Sequence, residues 1–292
     1  MKKIIGLLMS VIFIVSMLHT PQVQANSNQK DINDIREYVE KNVPKLVKKL
    51  SKLQNKTTSL EEIQKVIDQY YKKNPSPDAM NDPSINLKDV FPEKAKEAQP
   101  GDKFVINEFI SNQKQVDQDG RLLEFNIQNG KVNVFVGDTG EIVILQQKTE
   151  EENKELSKIQ TSQITMAAAS GPRITSIEST TGIGYSAAGG KMYTLQAEGQ
   201  FSYTGSDVNV YYGDGYWQRH LWGSTLSISD RGMGKSKKYN TGGYTYAEVY
   251  SRLYVEAQYG FRWAGITMNS NTVEAYVGST VTGNLYGGLT TR

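Results

Sequence analysis

Residues 211–222, with the sequence YYGDGYWQRHLW, contain the side chains best suited to chemistry in this chain. They include five aromatic rings and His220, the only histidine beyond the first 25 residues. An imidazole can act as a general base, but it then needs a nucleophile or an activated water and an orienting partner. The sequence around His220 identifies neither. We therefore predict a half-exposed strand histidine rather than a catalytic one.

Two other patterns fall short of a catalytic motif. Glu248 and Glu256 alternate onto one strand face, but eight residues of strand separate them by about 26 Å, whereas a glycosidase pair needs about 5–10 Å. The loop DRGMGKSKKYNTGG resembles a phosphate-binding loop in composition, but Ser229 stands where that motif requires glycine. We predict no catalytic residues and no enzymatic activity.

Composition excludes several further classes of site. The chain has no cysteine, which rules out thiol nucleophiles, iron–sulfur clusters and cysteine zinc sites. A two-histidine zinc site is equally ruled out, because one histidine remains after the first 25 residues. The formal net charge of +2 gives no reason to expect a nucleic acid partner. We predict no metal and no cofactor.

The N-terminus has the pattern of a secretory signal peptide. Lys2 and Lys3 precede an apolar run from Ile4 to Leu18, and a small-x-small site ends at Ala25. The run is shorter than the roughly 20 residues of a membrane span. We predict cleavage between Ala25 and Asn26 and a secreted, extracellular protein.

The rest of the chain has two halves of different composition. Residues 170–292 contain 14 of the 17 tyrosines, all three tryptophans and 20 of the 26 glycines. The preceding half is charged and favours helices. We predict an α+β N-terminal region, with a helical pair and a small antiparallel meander, followed by an all-β C-terminal domain. The predicted boundaries are a signal peptide at 1–25, an α+β domain at 26–147, a linker at 148–172 and a β domain at 173–292.

Apolar spacing predicts the elements of the N-terminal half. Residues 31–53 repeat apolar positions every three to four residues, with Pro44 expected to break or kink the helix. Ser59 and Glu62 stand in capping-box register before a second helix. The string VNVFVGDTGEIVIL resembles one strand–turn–strand of the PepSY domains found in protease pro-regions. Two interpretations stay open here: a precursor whose exposed linker is cleaved, or two permanently joined domains.

Alternation predicts the strands of the C-terminal half. In KMYTLQAEGQFSY, apolar residues from Tyr193 to Tyr203 alternate with polar ones from Thr194 to Ser202. Six to eight such strands in about 120 residues indicate a β-sandwich or small barrel. Gly213-Asp214-Gly215 supplies turn residues, so we predict a hairpin with its turn there.

A set of rings and lysines forms the candidate ligand surface. In YTYAEVYSRLYVEAQY the tyrosines alternate with positions expected to be buried, so they are expected to share the other face of the strand. Rings with a polar tip suit contact with sugars, peptides or lipid headgroups. The alternative is a cross-strand ladder in which these side chains pair with one another. The candidate envelope-binding residues are Tyr216, Trp217, Trp222, Tyr246, Tyr250, Tyr254, Trp263, Lys235, Lys237 and Lys238.

The layout is similar to that of large Sec-exported protein bacteriocins of Gram-positive bacteria. The segments YWQRHLWGS and YTYAEVYSRLYVEAQYG resemble the β-sandwich bacteriocins of the lactococcin 972 type. This resemblance implies an antibacterial or envelope-active protein, acting through its β domain on a membrane or wall polymer. The alternatives are a wall- or glycan-binding module without catalysis, and an enzyme or inhibitor regulated by a propeptide.

Overall fold

The computed structural model shows helices followed by two antiparallel sheets, as the composition predicts. It describes residues 29–54, 56–82, 84–94, 104–105, 120–150, 171–220, 226–235, 239–241, 244–263 and 266–291. The predicted signal peptide and its cleavage site, Ala25 and Asn26, lie outside these residues. Within them, no helix is both long enough and apolar enough to cross a membrane.

Three α-helices precede the strands. They are α1 (Gln29–Ser51), α2 (Leu60–Lys73) and the short α3 (Leu87–Val90), with 3-10 turns at Asp78–Asn81 and Pro92–Lys94. Ser59 caps α2, because its hydroxyl accepts a hydrogen bond from the Glu62 amide at 3.1 Å. The expectation that Pro44 breaks the first helix is wrong, since α1 continues through it. Pro44 lies on the exposed side of α1, where water can solvate the carbonyl that loses its helical partner.

Thirteen strands are described, and they form two sheets. The bounds are β1 Phe104–Val105, β2 Gly120–Ile127, β3 Gly130–Gly137, β4 Ile142–Glu150, β5 Arg173–Ile174, β6 Ile177–Tyr185, β7 Lys191–Tyr203, β8 Val208–Arg219, β9 Leu226–Lys235, β10 Tyr239–Thr241, β11 Tyr244–Trp263, β12 Ile266–Thr280 and β13 Leu285–Thr291. Sheet A has the order β1-β13-β12-β11-β10, with β9 also paired to β11, and sheet B has the order β2-β3-β4-β6-β7-β5, with β8 also paired to β7.

The two sheets and the helices make three layers. One face of sheet B packs against the helices, with Phe125, Val134, Ile144 and Ile183 in the same cluster as Leu46 of α1. Its other face packs against sheet A, where Leu195 and Leu253 belong to one cluster. Period-two alternation explains this arrangement, because neighbouring residues of one strand enter different cores.

The predicted hairpin at Gly213-Asp214-Gly215 is wrong. Strand β8 runs unbroken from Val208 to Arg219 along β7. The turn lies earlier, at 204–207, where Thr204 donates its amide to the Asp207 carbonyl at 2.9 Å. Gly213 is instead a packing position, because a Cβ there would lie 2.6 Å from Val249 of sheet A.

Sheet B contains strands from both sides of the predicted linker. Strand β4 pairs with β6 from Ile142↔Tyr185 to Glu150↔Ile177. The predicted linker at 148–172 therefore joins two stretches of chain that lie next to each other in one sheet. The linker residues 151–170 lie outside the described part.

Candidate functional site

The tyrosines of β11 lie on the outer face of sheet A. Alternation places Ala247, Val249 and Leu253 in the core, so the residues between them face outward. We call this outer surface the tyrosine face and define it as Tyr246, Glu248, Tyr250, Arg252, Tyr254, Glu274, Tyr276 and Tyr286, from β11, β12 and β13.

Charged groups of the tyrosine face are paired within it. Arg252 contacts the carboxylate of Glu274, its register partner on β12, and the Glu274 side chain is only 2% exposed. The Arg252 guanidinium also lies 3.9 Å from the centroid of the Tyr250 ring. Tyr286 donates its hydroxyl to Glu248 at 3.0 Å. Burial, together with this carboxylate, raises the pKa of Tyr286.

Glycines make room for these rings. A Cβ at Gly278 would lie 2.4 Å from Tyr286, and one at Gly234 would lie 3.0 Å from the Tyr250 hydroxyl. Tyr286 makes tilted or edge contacts with Tyr246 and Tyr276, at centroid distances of 6.4 and 6.3 Å. These side chains cover the sheet and satisfy one another, which is the cross-strand ladder that the sequence left as an alternative.

A second aromatic surface lies on the face of sheet B that points away from sheet A. It is formed by strands β7 and β8, beside the part of that face that the helices cover. We call it the β8 face and define it as Tyr212, Asp214, Tyr216 and Gln218 of β8 with Gln196 and Glu198 of β7. Tyr212 and Tyr216 are 38% and 45% exposed. Asp214 and Gln218 are exposed as well. The two rings are four residues apart on one strand face, about 13 Å at the rise of a strand.

A β-bulge increases the aromatic exposure of β8. The register with β7 passes from Gln200↔Tyr212 to Phe201↔Val210, which leaves Tyr211 without a partner residue. Tyr211 is 56% exposed, the highest value among the exposed large apolar side chains described. Bulges are frequent next to functional sites because they redirect side chains.

The β8 face contains two carboxylates placed directly opposite each other. Glu198 and Asp214 are register partners across β7 and β8, where like charges destabilise a sheet. Tyr212 donates its hydroxyl to Glu198 at 3.0 Å. That hydrogen bond is the main reason why the pKa of Tyr212 is raised.

The inner side of β8 is held firmly against sheet A. Gly213 and Gly199 allow Val249 to approach, and a Cβ at either position would lie within 3 Å of that side chain. Ser251 donates its hydroxyl to the Tyr216 carbonyl at 3.3 Å. Trp217 points to this inner side and packs, partly buried, against the core between the sheets. The exposed rings therefore stand on a supported strand.

His220 lies just beyond the end of β8. Its amide donates to the Met192 carbonyl at 2.9 Å, and its Nε2 atom lies 2.9 Å from the Thr194 hydroxyl. Burial, and secondarily the charge of Lys191, lowers the pKa of His220. Its described partners are thus a hydroxyl and a nearby cation, with no carboxylate to orient the ring as in a catalytic triad.

The structure separates the candidate residues predicted from sequence. Tyr216 lies on the β8 face, Trp217 lies on the inner side of that strand, and Tyr246, Tyr250 and Tyr254 lie on the tyrosine face. Trp222, Lys237 and Lys238 fall outside the described residues, and only the backbone of Lys235 and Trp263 is described, in β9 and β11.

Sequence reasoning missed Tyr212, Gln196 and Glu198 as members of a surface. The polar alternation of β7 was visible, but the wrong hairpin placed Tyr212 and Tyr216 on opposite strands. The described residues contain no cluster of three or more histidine, aspartate or glutamate side chains placed to hold a metal ion.

Comparison with known proteins gives no relative for this chain. No family model matches it, and neither the curated proteins nor the solved structures contain a significant match.

Proposed function

We propose that the chain is an exported protein that binds an uncharged polysaccharide of the bacterial envelope through the β8 face. Export is supported by the signal-like N-terminus from Lys2 to Ala25. The observation that supports binding is the exposure of Tyr212 and Tyr216 on a supported strand beside amide and carboxylate side chains.

Ring chemistry favours a sugar as the ligand. A tyrosine ring has a negative π face and a polar tip, so it can contact the C–H groups of a sugar ring while its hydroxyl stays hydrated. Gln196, Gln218 and Asp214 add donors and acceptors for sugar hydroxyls. Rings that are already exposed and held by the strand lose little conformational freedom on binding.

The charges of the β8 face favour an uncharged ligand over an anionic one. Glu198 and Asp214 oppose each other at its centre. On β4, in register with Glu198 through Ser179 of β6, the basic side chain Lys148 already pairs with Glu150 at 3.1 Å. A polyanion would meet repulsion there, whereas sugar hydroxyls can donate hydrogen bonds to both carboxylates.

Co-sedimentation with purified cell walls tests this proposal. Wild-type protein is expected to sediment with walls stripped of anionic polymers, and Tyr212→Ala and Tyr216→Ala are each expected to weaken binding about tenfold, or about 1.4 kcal/mol. Tyr254→Ala, on the tyrosine face, serves as the matched control and is expected to bind like wild type. Equal binding by all four proteins, or binding that depends on the anionic polymers, would contradict the proposal.

Antibacterial action is a second candidate, favoured by the shape of the β11–β12 hairpin. Beyond the bulge between Glu256 and Phe261, described residues of these strands pair only with each other, from Phe261↔Met268 to Trp263↔Ile266. The sequence of this tip, FRWAGITM, is largely apolar. Such a tip is suited to contact with a membrane.

A membrane-potential dye distinguishes the two candidates. Purified protein added to Gram-positive cells is expected to depolarise them if the hairpin tip enters the membrane, and Trp263→Ala should reduce this effect. A protein that only binds glycan is expected to coat the cells without depolarisation. Depolarisation that Trp263→Ala leaves unchanged would contradict a role for the tip.

A further inference from the structure

We propose that the N-terminal region, residues 29–150, is a permanent part of the β fold, so that a cut within 151–170 gives two chains that stay bound. This inference concerns the assembly of the molecule and does not depend on the ligand of the β8 face. The sequence left open whether the linker is cleaved or the two domains stay joined, and on this proposal the two regions stay together in either case.

The first support is the pairing of β4 with β6. Nine consecutive residue pairs join Ile142–Glu150 to Ile177–Tyr185 without a register shift. Two side-chain hydrogen bonds of β4 add to this backbone pairing. Thr149 donates its hydroxyl to Glu178 at 2.6 Å, and the Gln147 side-chain amide donates to the Gly287 carbonyl in sheet A at 2.8 Å.

The second support is that the first four residues of β4, from Ile142 to Leu145, are buried on both faces of the sheet. Ile142 and Ile144 pack toward the helices, whereas Val143 and Leu145 pack toward sheet A. A strand with this pattern is interior to the fold, as in sheets covered on both sides. Removing it would expose two apolar surfaces at once.

The third support is that residues from both sides of the linker share the same cores. Ile183 and Tyr185 of β6 belong to the cluster formed by the helices. Tyr71 of α2 packs so closely on Gly189 that a Cβ there would lie 2.0 Å from its ring. Between the sheets, Phe135 of β3 clusters with Tyr193 and Leu289. Without the residues before the linker, the residues after it therefore lack part of both of these cores.

This arrangement also separates the N-terminal region from control of the β8 face. Tyr212 and Tyr216 are already exposed while the helices are in place. Removal of residues 29–150 is therefore not needed to uncover them, and the N-terminal region completes the sandwich instead of masking a site.

The test is an engineered cut in the full chain. A protease recognition sequence inserted between Lys158 and Ile159 allows the folded protein to be cleaved, then analysed by gel filtration and mass spectrometry. We expect both fragments to co-elute at the volume of the uncut protein, and to separate in urea. Elution of the C-terminal fragment alone under native conditions would overturn the proposal.

Hydrogen exchange gives a readout that does not depend on chromatography. The amides of residues 177–185 are expected to keep their protection after the cut, because β4 still pairs with them. Loss of that protection would also overturn the proposal.

Matched variants sharpen the result. Leu145→Ala, in the core between the sheets, is expected to speed dissociation of the cut fragments at least tenfold. Gln146→Ala, at a half-buried position of the same strand, is expected to change the rate less than threefold. Equal dissociation rates of both variants and wild type would contradict an assembly held by the core.

Discussion

The two outer faces of the sandwich contain the same residue types in opposite arrangements. On the tyrosine face, Tyr286 binds Glu248 and lies against two other rings, while Glu274 is only 2% exposed beside Arg252. On the β8 face, Tyr212 and Tyr216 are substantially exposed, and Glu198 faces Asp214 instead of a cation. The first face satisfies its own polar groups, whereas the second retains a repulsion between neighbours.

The difference shows that an alternating Tyr/Glu sequence does not by itself identify a binding surface. Complementary charges and glycine gaps on neighbouring strands allow tyrosines to cover a sheet, as Gly278 does for Tyr286. Opposed like charges give no stability to the sheet, which agrees with the ligand contact proposed for the β8 face. The contrast therefore predicts that changes on the tyrosine face alter stability and changes on the β8 face alter binding.

The largest effect is expected for Glu274→Ala. This change removes the carboxylate that pairs with Arg252. Because the Arg252 side chain is mostly buried, the variant has a positive charge there without its anionic partner. We expect a loss of about 2–3 kcal/mol in the free energy of unfolding, below the value for a fully buried pair because Arg252 keeps partial access to water. Urea denaturation measures it.

Glu198→Ala on the β8 face is the matched control for Glu274→Ala. It removes a carboxylate from a like-charge pair, so we expect unchanged or slightly increased stability. Equal losses for Glu198→Ala and Glu274→Ala would contradict the distinction between the two faces.

The next effect is expected for Gly278→Ala. The added methyl group would overlap the Tyr286 ring, which must then move away from Glu248. Overpacking of this kind costs about 1–3 kcal/mol, and a shift of the thermal unfolding midpoint reports it. Gly171→Ala is the control, because no atom lies within 4 Å of a Cβ at that position. An unchanged midpoint for Gly278→Ala would show that the ring can relocate freely.

Much of the fold was predictable from local patterns. Apolar spacing located both long helices, and alternation identified the buried faces of β7 and β11, including Leu195 and Leu253. The Ser59 cap was readable because its mechanism involves neighbours in sequence.

Features that depend on distant residues were not predictable. Gly213 indicated a turn because glycine is common there, but it lies in a strand since Val249 of another sheet needs the space. The pairing of β4 with β6 could not be predicted, because pairing between strands on either side of a linker leaves no local pattern in the sequence. The β8 face was missed for the same reason, as Glu198 and Asp214 meet only through register.

A small effect on stability is expected for Tyr216→Ala. The ring is 45% exposed and lies on the outer surface, so its removal should change the free energy of unfolding by no more than about 0.5 kcal/mol. Urea denaturation of this variant beside Tyr286→Ala measures the comparison, and the second variant should be clearly less stable. A large loss for Tyr216→Ala would indicate that the β8 face stabilises the fold rather than binds.

The smallest effect concerns His220 and the response to acid. Burial lowers its pKa in the folded protein, so the unfolded chain takes up the proton more readily. The stability from the neutral ring is complete above the ordinary histidine pKa of about 6.5, and is lost as the pH falls from there through the lowered folded value. His220→Gln removes this dependence and retains a side chain able to hydrogen-bond Thr194. We therefore expect the drop in unfolding midpoint between pH 7.5 and pH 5 to be smaller in His220→Gln than in wild type. A larger drop in the variant would mean that the protonated imidazole is favoured in the folded state, which its position near Lys191 opposes.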